Sequence, residues 1–266
     1  MTTFKLYFGF INAYLKTKIE YRFAFFMDFF IHIYGYFITY LGIWVIFNKF
    51  HFIKGWDFYE VMFLYNLNLI SYGICGVFFF TPIRRLEGMV KDGTFDSMLI
   101  KPINPFLHLI FRYFNHDFFG HIILAGIVFT ICLNKLNIIW TIGKVMGLIL
   151  FIFGATLIQA GLMIIAATVC FWFFTSNNLI DATIYGVRSF INYPITIYDK
   201  WIQIFLTFIL PYAFVNFYPV QYFLADKVTV FHSSLNYLTP VIGIIIFVLA
   251  ILLWNTGINR YQSTGS

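Results

Sequence analysis

The sequence predicts an all-α membrane protein with an N-terminal interfacial amphipathic helix, six transmembrane helices and a re-entrant helical hairpin before the last span. Both termini are expected on the cytoplasmic side. Three observations carry this expectation. The chain is 61% hydrophobic and 23% aromatic but only 11% charged, with a mean hydropathy of +0.83. A soluble domain of this length needs far more polar surface. Several apolar stretches reach the roughly 20 residues that a helix needs to cross the hydrocarbon. These stretches run unbroken and lack the alternation of a barrel strand.

The elements follow in chain order within a single transmembrane domain, 1–266. Residues 3–21 are amphipathic: Phe4, Leu6, Tyr7, Phe10, Ile11 and Tyr14 recur at helical spacing, with Lys5, Lys16 and Lys18 able to reach headgroups. Such a helix lies along the interface. The same charges, with Glu20 and Arg22, interrupt any signal-peptide core, so none is expected. A first span is predicted at 23–47 and a second at 58–81, separated by a loop with Lys49, His51, Lys54 and Asp57. A charged segment, 82–105, comes next. A third span is predicted at 105–133, a fourth at 144–174 and a last at 237–257.

Between them, 177–193 and 198–224 both read as helical, the second broken by Pro211 and Pro219. Only one net crossing fits there if the termini share a side. Either segment can be the crossing, the other dipping in and returning. The hairpin is placed at 194–225, because non-helical backbone at membrane depth needs protein around it. Asp181 and Arg188 must likewise face protein.

Lys5, Lys16, Lys18, Arg22, Arg84, Arg85, Lys91, Lys101, Arg188 and Arg260 fall on one side of this scheme. Lys49, Lys54, Lys135 and Lys227 fall on the other. The excess of bases predicts that the first group, and both termini, are cytoplasmic. The bases flank spans and form no contiguous patch, which argues against nucleic acid as a partner. Cys75, Cys132 and Cys170 all lie in apolar stretches, without metal-site spacing.

The segment PIRRLEGMVKDGTFDSMLIKPINP concentrates much of the chain's charge. Pro82 suits a helix N1 position. Ile83, Leu86 and Val90 share one face, and Gly93 suits the C′ position that ends the helix. An amphipathic helix of about three turns, capped at both ends, fits a partner's groove. The bland alternative is a basic loop obeying the positive-inside rule.

The outline as a whole resembles the permease subunits of ABC-2-type bacterial ABC exporters. GTFDSMLIKPINP, at 93–105, is similar to a G-x-x-D-x-x-L-x-x-P segment of one bacterial branch, matched by Gly93, Asp96, Leu99 and Pro102. The stretch YPITIYDKW, at 193–201, is similar to that branch's extracellular-side region. The resemblance implies that the loop after the second span docks on a separate cytoplasmic ATP-binding subunit. It assigns that contact to Arg84, Arg85, Leu86, Glu87, Gly88, Met89, Val90, Lys91, Asp92, Gly93, Asp96, Leu99 and Lys101. It further implies a second permease, identical or sister, in the bacterial cytoplasmic membrane. ATP and magnesium would be held by the ATPase, and no cofactor by this chain. An amphiphilic or peptide-like cargo would move outward by alternating access. The chain has no GxxxxGK[ST], and TIGK at 141–144 lacks both the first glycine and the hydroxyl.

The predicted third span opens with unusual polarity. His108, Arg112 and His116 fall at i, i+4 and i+8 with Asn115 beside them, and Asp117 pairs with His121 at i+4. Two readings stay open: a polar lining of the pathway, or an internal network that holds the subunit together. Asp28 and His32 are a further i, i+4 pair, and Glu60 reads as an interface residue. Gly143, Gly147, Gly154 and Gly161 predict a close helix approach. Two rival functions carry distinct expectations. An ion-coupled carrier would use Asp28, Arg112, His116 and Asp117 without a partner. An intramembrane transferase would need a convergent His/Asp site with a nucleophile.

Overall fold

The computed structural model describes residues 22–136, 138–224 and 230–262, together with Gly9. The expected interfacial helix at 3–21 lies outside the described residues, as do the side chains of Asp28 and His32. Among the described residues the structure is helical, with one isolated bridge, Ile53 to Trp56.

Helix α1 (Arg22–Lys49) leads through a tight turn, with Lys54 and Gly55 at positive φ, into α2 (Phe58–Lys91). Asp57 and Glu60 form a capping box at the start of α2: each side chain accepts the other's backbone N–H, both at 2.8 Å. Glu60 is thus a cap, a role the D-x-x-E spacing encodes.

The expectation of a span ending at 81, followed by a separate helix, is corrected. α2 runs unbroken for 34 residues, about 51 Å at 1.5 Å per residue. A five-residue π segment, Gly76–Phe80, immediately precedes Thr81 and Pro82. In that register the Val77 carbonyl would pair with the N–H of residue 82, which proline lacks.

The expected third span is broken. α3 (Pro105–Arg112) is a short amphipathic helix, started by Asn104 accepting from the Leu107 N–H at 3.2 Å. Tyr113–Asn115 leave the helix, and α4 (His116–Lys135) is the membrane-length part. At the break, the Asn115 N–H donates to the Val77 carbonyl at 2.9 Å, and Asn115 Nδ2 donates to Thr81 Oγ1 at 2.9 Å. The flaw in α2 and the break before α4 therefore satisfy each other's backbone groups.

Helix α5 (Ile142–Phe173) packs along α9 (Thr239–Arg260). Their approach depends on glycine: a Cβ on Gly154 would sit 2.7 Å from Pro240 Cα, and one on Gly243 would collide with the Gly154 carbonyl. Gly161 faces Ile246 and Gly147 faces Tyr222, whereas Gly143 meets only Thr141 of its own turn. Between α5 and α9 lie α6 (177–192), of mixed α, π and 3-10 register, then α7 (Lys200–Ile209) and α8 (Ala213–Phe223). α7 and α8 are bent by 103°.

Among the described residues, four helices are long and apolar enough to cross a membrane: α2, α4, α5 and α9. Counting the bent pair as one span makes five. The protein is an all-helical, multi-pass membrane protein. Two apolar clusters divide the bundle. One joins Trp56, Phe63, Phe151, Phe217 and Phe223. The other gathers Leu86, Phe95, Phe171, Ile180 and Trp254. The ends of α2, α5 and α9 therefore meet at the charged segment, while α8 lies at the opposite end.

Candidate functional site

The last three turns of α2 are amphipathic, but their apolar face is covered by the chain itself. Ile83, Leu86, Met89 and Val90 are all buried, Leu86 with 0% exposure. The Ile83, Leu86 and Val90 face expected to enter a partner's groove thus packs within this chain. Arg85, Gly88, Lys91 and Asp92 are exposed. Gly93, at φ 67°, ends the helix as expected of a C′ residue.

Two charges of this segment are used internally. Glu87 Oε2 accepts from the backbone N–H groups of Ser176 (2.7 Å) and Asn177 (2.6 Å), the orphan donors at the start of α6. Its Oε1 accepts from Lys91 Nζ at 2.6 Å. One turn earlier, Arg84 forms an ion pair with Asp181 of α6. The helix end and the α5–α6 turn are thereby stapled together.

Downstream, Phe95 is buried against Phe171 (5.3 Å between ring centroids) and Tyr261 (5.4 Å). Burial, then the Asp96 carboxylate beside it, pushes the Tyr261 hydroxyl up to about 12. Leu99 is half-buried and Lys101 exposed.

The polar residues expected on one face of a third span are divided by the break. His108 and Arg112 share α3, outside the span. His108 is buried and Arg112 exposed. Burial first, then the positive charges of Lys101 and Arg112, hold the His108 imidazole below its ordinary pKa. His116 and Asp117 lie past the break and contact each other, Nε2 to Oδ1, at 3.0 Å. His121 is enclosed by aromatic rings, 4.4 Å from Tyr36 and 4.8 Å from Phe118. The i, i+4, i+8 relation from Arg112 to His116 does not survive.

A second polar group lies deeper and was not anticipated, apart from the need to bury Arg188. Arg188 of α6 is buried, its guanidinium carbon 3.6 Å from the centroid of the Tyr72 ring. Its Nε donates to Asn68 Oδ1 at 3.1 Å, and Asn68 Nδ2 donates to Asn192 Oδ1 at 3.2 Å. Gln159 Nε2 donates to Ser71 Oγ at 2.7 Å. Asn216 Nδ2 donates to the Ile191 carbonyl at 2.6 Å. Asn66 accepts from the Tyr40 hydroxyl at 2.6 Å. The signal in the sequence was NLNLIS, at 66–71, three polar residues in the middle of an apolar helix. These bonds join α1, α2, α5, α6 and α8. Among the described residues, no group of three or more His, Cys, Asp or Glu is arranged to hold a metal ion.

Comparison with known proteins adds one finding. A family model described as ABC-2 family transporter protein matches residues 33–265. No curated protein and no solved structure matches the chain. The match covers the span from the middle of α1 past the end of α9, including the charged end and the buried polar group. The chain belongs to the ABC-2 transporter family and is a membrane-embedded permease component of an ABC transporter.

Proposed function

We propose that this chain is the membrane half of an ATP-driven exporter in a bacterial cytoplasmic membrane. It pairs with a second permease, identical or sister, and takes its drive from a separate cytoplasmic subunit that binds ATP and magnesium. In this reading α1, α2, α4, α5, α6 and α9 are the six crossings, and α7 with α8 is a re-entrant hairpin on the outer side. Glu87 at the start of α6 supports that assignment, as does Asn216 of α8 against Leu64 and Ile191 at the other end. The end that holds the charged segment is cytoplasmic, because bases concentrate there.

The single observation that carries the reading is the length of α2. About 20 residues cross the hydrocarbon, yet α2 continues for 34. Its last turns are fastened to α6 through Glu87 and Arg84. A partner pressing on the exposed Gly88, Lys91 and Asp92 would move α2 and α6 as one body. The apolar residues beneath, Leu86 included, keep that lever attached to the bundle.

The test is co-purification with ABC ATPase subunits co-expressed from the same organism, together with permease-stimulated ATP hydrolysis. Gly88→Trp, and the charge swap Lys91→Glu with Asp92→Lys, should abolish both while leaving the permease folded. Intact complex and intact stimulation in both variants would overturn the coupling assignment.

A further inference from the structure

The face of α3 away from the core borders a groove of about 530 Å³ between α2, α3 and α9. Phe78 and Phe79 of α2, Leu107 and Phe111 of α3, and Phe247 and Ile251 of α9 form its apolar walls. The volume is that of a typical small-molecule site. On α9 the groove runs along Phe247, Ile251 and Asn255, in the half of the helix that ends at Arg260.

Immediately past Phe111, two arginines rest on one ring. The Arg85 guanidinium lies 4.7 Å from the centroid of Tyr113, and that of Arg112 lies 5.4 Å from it. Both are exposed. The neighbouring bases on α2 are neutralised, Arg84 by Asp181 and Lys91 by Glu87. Among the described residues, no carboxylate lies within salt-bridge distance of Arg85 or Arg112. Lys101 adds to this positive field, which His108 registers. Two guanidiniums held on a tyrosine offer paired donors that suit a phosphate.

We propose that this groove binds an anionic phospholipid: the acyl chain lies along Phe78, Phe111 and Ile251, and the phosphate meets Arg112, next in the chain to Phe111, and Arg85 beside it on the Tyr113 ring. Charge complementarity selects this occupant. The walls are apolar enough for a lipid tail, and an uncompensated cationic pair stands at the membrane end where a headgroup would sit. α3, amphipathic and outside the spans, forms one wall and places Arg112. The break at Tyr113–Asn115 turns the chain so that Tyr113 bridges Arg112 to Arg85.

The experiment is native mass spectrometry of the purified, delipidated permease, titrated with phosphatidylglycerol or with phosphatidylcholine of the same acyl chains. The wild type should retain phosphatidylglycerol preferentially. Each arginine near a membrane surface is worth about fivefold in affinity, so Arg85→Gln with Arg112→Gln should lower phosphatidylglycerol retention roughly 25-fold. Lys135→Gln, at the far end of α4, should leave it unchanged. Ile251→Trp, which fills the groove, should lower retention with both arginines present.

Equal retention of the two lipids would overturn the proposal, as would insensitivity to the double arginine variant. Insensitivity to Ile251→Trp would overturn it too, leaving only surface attraction. If the arginine variants lose the ATPase and keep the lipid, the pair is a protein contact and the lipid site is refuted. Loss of lipid with ATP hydrolysis still stimulated separates this site from the coupling face.

Discussion

The Glu87 staple allows a quantitative prediction. Replacing Glu87 with Ala removes two charge-assisted hydrogen bonds, at 2.7 and 2.6 Å, to the backbone N–H groups of Ser176 and Asn177. It also removes the Lys91 pair on the surface. Hydrogen bonds to a charged group contribute about 1.5–3 kcal/mol each, whereas an exposed i, i+4 pair contributes only about 0.3–0.5 kcal/mol. The Glu87 side chain is 13% exposed, so the lower bound is the safer figure. That gives about 3 kcal/mol for the two N–H bonds together.

If the loss is local, amide exchange at 176–177 should accelerate by roughly 100-fold. If it is global, the melting temperature in detergent should fall by roughly 6–12 °C. Glu87→Gln keeps one acceptor oxygen and should show about half the effect. Lys91→Ala should show almost none. Hydrogen–deuterium exchange and scanning fluorimetry on the three variants read both quantities. Equal effects of Glu87→Ala and Lys91→Ala, or unchanged exchange at 176–177, would refute the staple.

Three further outcomes follow from the packing. Gly154→Ala and Gly243→Ala each force α5 and α9 apart and should cost about 1–3 kcal/mol by thermal unfolding, while Gly143→Ala, whose Cβ meets only Thr141 Oγ1 at 3.9 Å, should be neutral or slightly stabilising. Arg188→Met leaves the Asn68 carbonyl buried without its donor, a loss of about 1–3 kcal/mol; adding Asn68→Leu should recover much of it, because removing both partners costs less than removing one. The low imidazole pKa of His108 means that the unfolded chain binds the proton first. Stability should therefore fall as pH drops through about 6.5, and His108→Gln should flatten that part of a melting-temperature profile between pH 7.5 and 5.5.

The class was legible because continuous apolar runs leave few alternatives. The fourth and last spans, the Gly93 terminus and a close helix approach at Gly154 and Gly161 follow from spacing, though which helix approaches does not. The break between α3 and α4 did not, because the helical spacing of His108, Arg112 and His116 runs straight across it. What ends α3 is a tertiary partner, the vacant Val77 carbonyl, and no local propensity reports that. Leu86 shows the same limit. Periodicity placed it on an apolar face, but only the packing of Phe95, Phe171 and Ile180 nearby says that the chain itself covers the face. Glu87 was counted with the outward charges, although its partners are 89 and 90 residues away. NLNLIS was visible but went unread, since a polar residue in a span declares a partner without naming it.

Proline is usually counted as a loss to a helix, a donor removed and a turn left unfastened. At position 82 the loss works as a socket. An ordinary residue there would present an N–H to the Val77 carbonyl and seal the helix, and the Asn115 N–H would have no acceptor. Because the socket stays open, the chain that begins α4 is pinned to the axis of α2 at its π segment. Any axial slide or twist of α2 must carry the head of α4 with it. The two helices are geared at one tooth, and the tooth is a hydrogen bond that proline declined to make.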